Sequence, residues 1–346
     1  MIATAPSISA HDVLPPDIPQ PLPSRMRAVI QRAYGDPDVL SVGEVDVPAP
    51  GHGEVLVQVR AAGLHRGTWH IMRGKPYAAR LAFGLRRPRH PVPGLDLVGV
   101  VLTVGEGVTR FAPGDEVFGI GRGSFAPFSV AKESKLTIKP ASIGFEQAAA
   151  VPVSGLTALQ ALTNVGRLAS GQRVLIIGAS CGVGTYAVQI AHHLGAHVTG
   201  VCSTGKIELV RGLGADEVID YTVTDPLVGN APYDLIVTIG GTARVRDLRR
   251  ALTPRGTLAV VSANDNGRIL GIGKQLRAVA LNPFVPQRLK MLVSSENSTD
   301  LQRLATLLAD GSIRPAIDRV YPLTDVASAM QRLEDGLVRG KVVITP

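Results

Sequence analysis

The sequence predicts an α/β protein: a doubly wound parallel sheet preceded and followed by β-rich chain. Three observations carry this expectation. Arg173 to Tyr221 reads as strand, glycine-rich turn, helix, strand and strand. The alternation of apolar runs with amphipathic segments continues beyond Tyr221. From Met26 to Val130, short alternating segments are separated by Pro and Gly, as in a compact β-rich unit.

Taking the first stretch in order, Val174–Ile177 is a β-branched run fit for a buried strand. Gly178 to Gly184 is a tight turn. Thr185 to His193 places Val188, Ala191 and His192 near one helical face, and His197–Cys202 and Glu217–Asp220 return as strands. Such a turn aims backbone amides and a helix N-terminus at a pyrophosphate, so the unit predicts a dinucleotide site. The G-x-G-x-x-G pattern, aligned on its last glycine, falls on Ala179, Cys181 and Gly184. The middle glycine, where backbone approaches phosphate, is therefore Cys181, with Gly182 following at once. An NAD site usually carries Asp or Glu at the end of the second strand. Here Ser203 stands, with Lys206 close behind; a hydroxyl and an ammonium suit a 2′-phosphate. NADPH is expected over NADH. The plainer readings are a nucleotide-free α/β core and a solvated lysine.

Elsewhere the elements follow from pattern and punctuation. Residues 1–25 are rich in proline and read as a flexible tail. Strands are expected at Arg27–Gln31, Glu54–Ala61, Leu97–Val104, Glu116–Phe118 and Phe125–Val130. Helices follow at Phe145–Ala150 and Gly155–Asn164. Beyond Tyr221 come strand Tyr233–Ile239, helix Val245–Leu252, strand Gly256–Ser262 and a helical spacing at Ile272–Ala280. Strand Lys290–Ser294, helix Asp300–Ala309, strand Ile317–Tyr321, helix Leu323–Leu333 and strand Gly340–Ile344 complete the chain.

Composition narrows the function classes. The 346 residues suffice for two domains, and an apolar content of 45% with 4% aromatic residues predicts an aliphatic core. The net charge of +8 would suit anionic ligands or nucleic acid. No nucleic-acid motif accompanies it, so it reads as an arginine-rich surface and no nucleic-acid partner is expected. The basic run with Arg80, Arg86, Arg87 and Arg89 reads as a solvated loop or as a rim for an anionic substrate. Two cysteines, Cys181 and Cys202, suggest no disulfide framework, which fits a cytoplasmic protein. No apolar run reaches membrane-spanning length, and no secretory signal opens the chain.

The stretches GHGEVLVQVRAAGLHRGTWHIMRGKP at 51–76, FGLRRPRHPVPGLDLVGVV at 83–101, RFAPGDEVFG at 110–119 and AAAVPVSGLTALQAL at 148–162 carry a family resemblance. So do LGADEVIDY at 213–221, SIRPAIDRVYPLTDVASAM at 312–330 and RGKVVI at 339–344. Together they resemble the medium-chain dehydrogenase/reductase superfamily, and within it the zinc-independent quinone oxidoreductase-like branch. The resemblance implies a Rossmann domain (150–295) inserted into a GroES-like β-rich catalytic domain (26–149 and 296–346), with the active site between them and a homodimeric assembly. Zinc-dependent relatives place Cys where this chain has His65, and His followed by an acid where it has Leu95 and Asp96. Leu95 cannot ligate, so no metal is expected.

The implied chemistry is hydride transfer from NADPH to an enone, quinone or carbonyl substrate. The family often has Asn at the position of His65 and Asp at that of Thr68. His65 would donate to the substrate oxygen or protonate it, or would only line the cleft; Thr68 would position it or bind substrate. Ser180, Cys181, Gly182 and Val183 would face the pyrophosphate, and Ser203, Lys206 and Tyr221 the adenosine phosphate. Thr157 would lie on the nicotinamide side, Thr238, Ile239 and Gly240 at the cofactor cleft, and Ser262, Phe284 and Lys341 near the nicotinamide pocket. The departures at His65, Thr68 and Cys181 also fit a specialised biosynthetic enzyme, redox or not. With the charge of +8 they fit a non-catalytic nucleotide- or RNA-binding protein.

Overall fold

The computed structural model describes residues 21–229, 231–261, 277, 278 and 280–346. Ser262, most of the 1–25 tail and most of the helical spacing at 272–280 lie outside the described residues. Strands β1 (Arg25–Gln31) and β2 (Leu40–Asp46) pair antiparallel as a two-stranded sheet. A seven-stranded sheet follows, built on the long β3 (Glu54–Leu64), which pairs with β4 (Asp96–Val104). Strands β5 (Glu116–Ile120), β6 (Phe128–Lys132) and β7 (Leu136–Ile138) extend it. Between β3 and β4 lie helix α1 (Arg66–Arg73), stopped by Gly74 in the left-handed region, and the short α2 (Arg80–Phe83).

Helices α3 (Phe145–Ala149) and α4 (Pro152–Gln160) lead out of this sheet, and α4 runs on as a π-helical turn over Ala161–Val165. The α/β part is β8 (Arg173–Ile177), α5 (Gly182–His193), β9 (His197–Cys202), α6 (Ile207–Gly212) and β10 (Glu217–Asp220). It continues with β11 (Tyr233–Thr238), α7 (Val245–Arg250), β12 (Leu252–Val260) and β13 (Arg288–Met291). These six strands are all parallel, in the order β10-β9-β8-β11-β12-β13. The order reverses between β8 and β11, so a ligand crevice opens beyond their carboxyl ends. Finally α8 (Ser298–Ala309), β14 (Ile317–Pro322), α9 (Val326–Glu334) and β15 (Lys341–Thr345) return the chain to the first large sheet, where β15 pairs with β3.

One aliphatic core spans both sheets, with Leu156, Leu159 and Leu162 of α4 against Val174 and Ile176 of β8 and Tyr186 of α5. Tyr186 is fully buried and donates its hydroxyl proton to Ala150 O at 3.0 Å, so its polar end is satisfied in the apolar layer.

The structure departs from the sequence-based expectation at several elements: β2, β7, α1 and α2 have no counterpart in it, β13 is shifted, and three further differences are local. Helix α5 starts at Gly182 rather than Thr185, because the Cys181 thiol accepts from Gly184 N at 3.4 Å and caps the extra turn. His192 is exposed, whereas Val188 and Ala191 of the same helix are buried. β6 starts at Phe128; Phe125 precedes it, buried in a turn where its amide donates to Pro93 O. Gly184 fits the role of the last glycine of the fingerprint: a Cβ there would lie 2.1 Å from Gly178 O. Only glycine lets helix and strand approach so closely.

Candidate functional site

The crevice begins at the turn after β8. Gly178 is left-handed at φ 92°, and the chain enters α5 with Cys181 as its N-terminal cap. Burial pushes the Cys181 thiol upward in pKa, which keeps it neutral beside any phosphate. The amide of Gly182, in the first turn of α5, has no intrahelical acceptor, that of Val183 leans on the Cys181 thiol, and both carry the positive end of the helix dipole. Gly240, beyond the end of β11, would meet nothing within 4 Å of an added Cβ. The turn therefore faces open space on one side and offers donors on the other, which fits a dinucleotide. Thr238 is buried and its hydroxyl donates to Gly240 O at 3.0 Å, fixing that strand end. Ser180 is buried and accepts through its carbonyl from Gly340 N, which ties the turn to the start of β15.

At the end of β9, Ser203 occupies the cap of a short 3-10 turn, Thr204–Lys206. Lys206 does not reach freely into solvent. It donates to Gly336 O at 3.1 Å and Val338 O at 2.9 Å, and partial burial lowers its pKa. Arg339 stands close by, with a guanidinium nitrogen 3.8 Å from where a Cβ on Gly205 would be. Arg339 was not foreseen, although it heads the RGKVVI motif. Tyr221 stands 59% exposed after β10. Beside it Asp220 accepts from the Thr204 hydroxyl at 2.5 Å, and the Thr204 and Thr222 hydroxyls lower its pKa. Asp220 thus places an anion against the same 3-10 turn that carries Lys206.

The second half of the site is a buried polar chain. Lys341, 1% exposed, places its ammonium 3.2 Å from Asp96 Oδ2 and 3.2 Å from Ser154 Oγ. Asp96 is fully buried, and its Oδ1 accepts from Val153 N at 3.0 Å. That same oxygen lies 3.9 Å from His65 Nε2, and Thr68 Oγ1 lies 3.3 Å from the same nitrogen. His65 is held at the first turn of α1, and Thr68, one turn on, points back at it. His65 Nδ1 is buried with no partner. Burial drives the His65 pKa down to about 4, against the opposing pull of Asp96; Lys341 and His70 push it further down. The ring is therefore neutral at pH 7.

This chain reaches the phosphate turn. A Cβ on Gly182 would sit 3.0 Å from Lys341 Cδ and 3.3 Å from Ser154 Oγ. His65, Thr68 and Lys341 are thus brought together with the start of α5. Thr157 is buried one turn along α4 from Ser154, but its hydroxyl is turned back onto Val153 O at 2.6 Å. Phe284 is not brought in: it is 84% exposed just before β13, at the edge where the parallel strands begin. Asp96 was read from sequence only as a failed metal position, and Ser154 was missed. Among the described residues, no three His, Cys, Asp or Glu side chains converge as a metal site, and no helix is long and apolar enough to cross a membrane.

A doubly wound sheet with a glycine turn at its switch point, packed against a buried carboxylate–lysine pair of the β-rich lobe, defines the medium-chain dehydrogenase/reductase class. Residues 51–141 match the alcohol dehydrogenase GroES-like domain, and residues 213–344 match the family described as zinc-binding dehydrogenase. The chain is 34% identical over 339 residues to the chloroplast envelope quinone oxidoreductase homolog of Arabidopsis thaliana, covering 93% of this chain and 98% of that protein. It is 31% identical to the 2-methylene-furan-3-one reductase of Solanum lycopersicum, covering 94% and 80%. The solved structure of a mycobacterial protein complexed with NADPH superposes with a TM-score of 0.79 at 27% identity, covering 93% and 100%. The chain belongs to the medium-chain dehydrogenase/reductase family, in its quinone oxidoreductase-like branch, and is an NAD(P)H-dependent oxidoreductase.

Proposed function

We propose that the protein reduces a quinone or an enone with NADPH, without a metal, using His65 as the hydrogen-bond donor to the substrate oxygen. The observation that carries this is the buried His65 ring, whose Nδ1 has no partner while Nε2 is engaged by Thr68. In this reading the Thr68 hydroxyl donates to Nε2, which puts the ring proton on Nδ1. A neutral imidazole N–H in a dry site then meets charge as it develops on the acceptor oxygen. The bound NADPH supplies the hydride. Gly182 and Val183 offer amides to its pyrophosphate, with Ser180, Cys181, Thr238 and Gly240 shaping the turn. Lys341 pairs with Asp96 and packs against the phosphate turn, and Thr157 lines the nicotinamide side. The names of the plant relatives support both substrate types.

The division into 26–149 with 296–346 and 150–295 is the domain assignment that suits the sheet order, with the cleft between the two parts. A homodimer in the cytoplasm is the assembly and location proposed. The test of function is NADPH consumption in EDTA against quinones and enones. Turnover is expected; tight NADPH binding with no turnover on any of them overturns the reading in favour of non-redox use of the scaffold.

For the 2′-phosphate, Arg339 and Lys206 outweigh Asp220, with Ser203 and Tyr221 completing the pocket. Arg339→Ala is expected to raise the KM for NADPH by about tenfold, the loss of one charge-assisted contact. The KM for NADH should move by less than about twofold. Equal changes for both cofactors would remove Arg339 from the phosphate site.

A further inference from the structure

The segment after α1 carries an exposed apolar and basic hump that the reduction chemistry does not use. Leu81 is 70%, Phe83 43% and Leu85 68% exposed, with Tyr77 at 44% nearby. Large apolar side chains exposed together along one short segment mark an interaction surface. The hump has a built shape. Gly84, at φ 122°, is buried at its base, where a Cβ would lie 2.1 Å from Arg87 O. The Tyr34 hydroxyl donates to Gly84 O at 2.5 Å, and Arg89 N closes the loop onto Phe83 O at 2.8 Å. Arg80 is committed to this base: it donates to Gly74 O at 2.9 Å and stacks on Tyr34 and Tyr77. Arg86 and Arg87, by contrast, are exposed at the tip and make no hydrogen bond or ion pair among the described residues. From Val55 to Leu95 the chain contains no Asp or Glu at all.

We propose that this hump docks the protein on an anionic lipid surface, with Leu81, Phe83 and Leu85 entering the interface and Arg86 and Arg87 at the level of the phosphates. Charge complementarity chooses this occupant. Exposed leucine and phenylalanine beside unpaired arginines match an apolar boundary under an anionic headgroup layer. A second copy of this chain would have to bring the same unneutralised cations against themselves. The inference does not rest on the reaction proposed above, and a failure of either leaves the other standing.

The experiment is co-sedimentation of the full chain with vesicles of phosphatidylcholine alone or with 30 mol% phosphatidylglycerol. Binding to the anionic vesicles is expected to be at least about tenfold stronger, and to weaken as salt rises. Arg86→Ala with Arg87→Ala should lower it by about 25-fold, at about fivefold per cation. Leu81→Ser with Leu85→Ser should lower it at low salt too, because the apolar part is unscreened. Both double variants should keep full turnover of a water-soluble quinone, which controls for folding. No binding to anionic vesicles, equal binding to neutral ones, or binding that neither variant changes overturns the proposal. So does a fall in the solution mass of either variant, which would assign the hump to contact between copies.

Discussion

Replacing His65 with alanine lowers kcat for a quinone or enone by about 10²–10³-fold, the loss expected for one donor aimed at a developing oxyanion in a water-excluded site. The Kd for NADPH stays within about twofold, because the lost contact forms only as charge develops on the substrate. His65→Gln, which keeps an N–H donor, recovers part of the rate. The pH dependence follows from the pKa of about 4. Turnover does not break between pH 6 and 8, as it would for a histidine near its ordinary 6.5, and His65 changes charge only as pH falls toward 4. The same shift acts on stability. The folded pKa lies below the unfolded one, so between 6.5 and 4 the unfolded chain takes up the proton and the folded chain does not. The stabilisation is complete above pH 6.5 and is lost as pH falls through that window, by roughly 3 kcal/mol in all. His65→Gln removes that slope. A kcat of the alanine variant equal to wild type reduces His65 to a lining residue.

The order of strands and helices was legible because each apolar run is short and bounded by Gly, Pro or Asn. β9 and β10 coincide with the expected His197–Cys202 and Glu217–Asp220. The missed β2 shows where pattern runs out. Gly43 interrupts it, and only the three-dimensional partner explains the glycine: a Cβ there would lie 2.6 Å from Ile30 Cδ1 of β1. The start of α5 was misplaced because a thiol cap is outside the usual Ser, Thr, Asp and Asn signals. Site legibility divides in the same way. His65, Thr68 and the phosphate turn stand in local motifs. The Asp96–Lys341–Ser154 contact joins three distant parts of the chain, and no spacing announces it. In the sequence Lys206 reads as an ammonium for the 2′-phosphate, yet it donates to Gly336 O and Val338 O, whereas Arg339 is exposed beside it.

Breaking the Asp96–Lys341 pair by Asp96→Asn or Lys341→Met costs about 3–5 kcal/mol, read as a lower urea midpoint at constant m, because each change strands a buried charge or its polar partner. The double variant, which strands no charge, recovers part of that loss. Stability alone would fit a purely structural pair, so the decisive readout is the His65 ring. Asp96 raises the His65 pKa and Lys341 lowers it. Asp96→Asn therefore moves the His65 titration further below 4, whereas Lys341→Met moves it up toward 6.5. The acid limb of kcat/KM, and the ring proton signals followed by NMR, should shift in opposite directions in the two variants. A pair that only braces β4 and β15 across β3 within the β-rich sheet would change both variants alike. Shifts of the same sign would strip Asp96 and Lys341 of any part in setting the charge of His65.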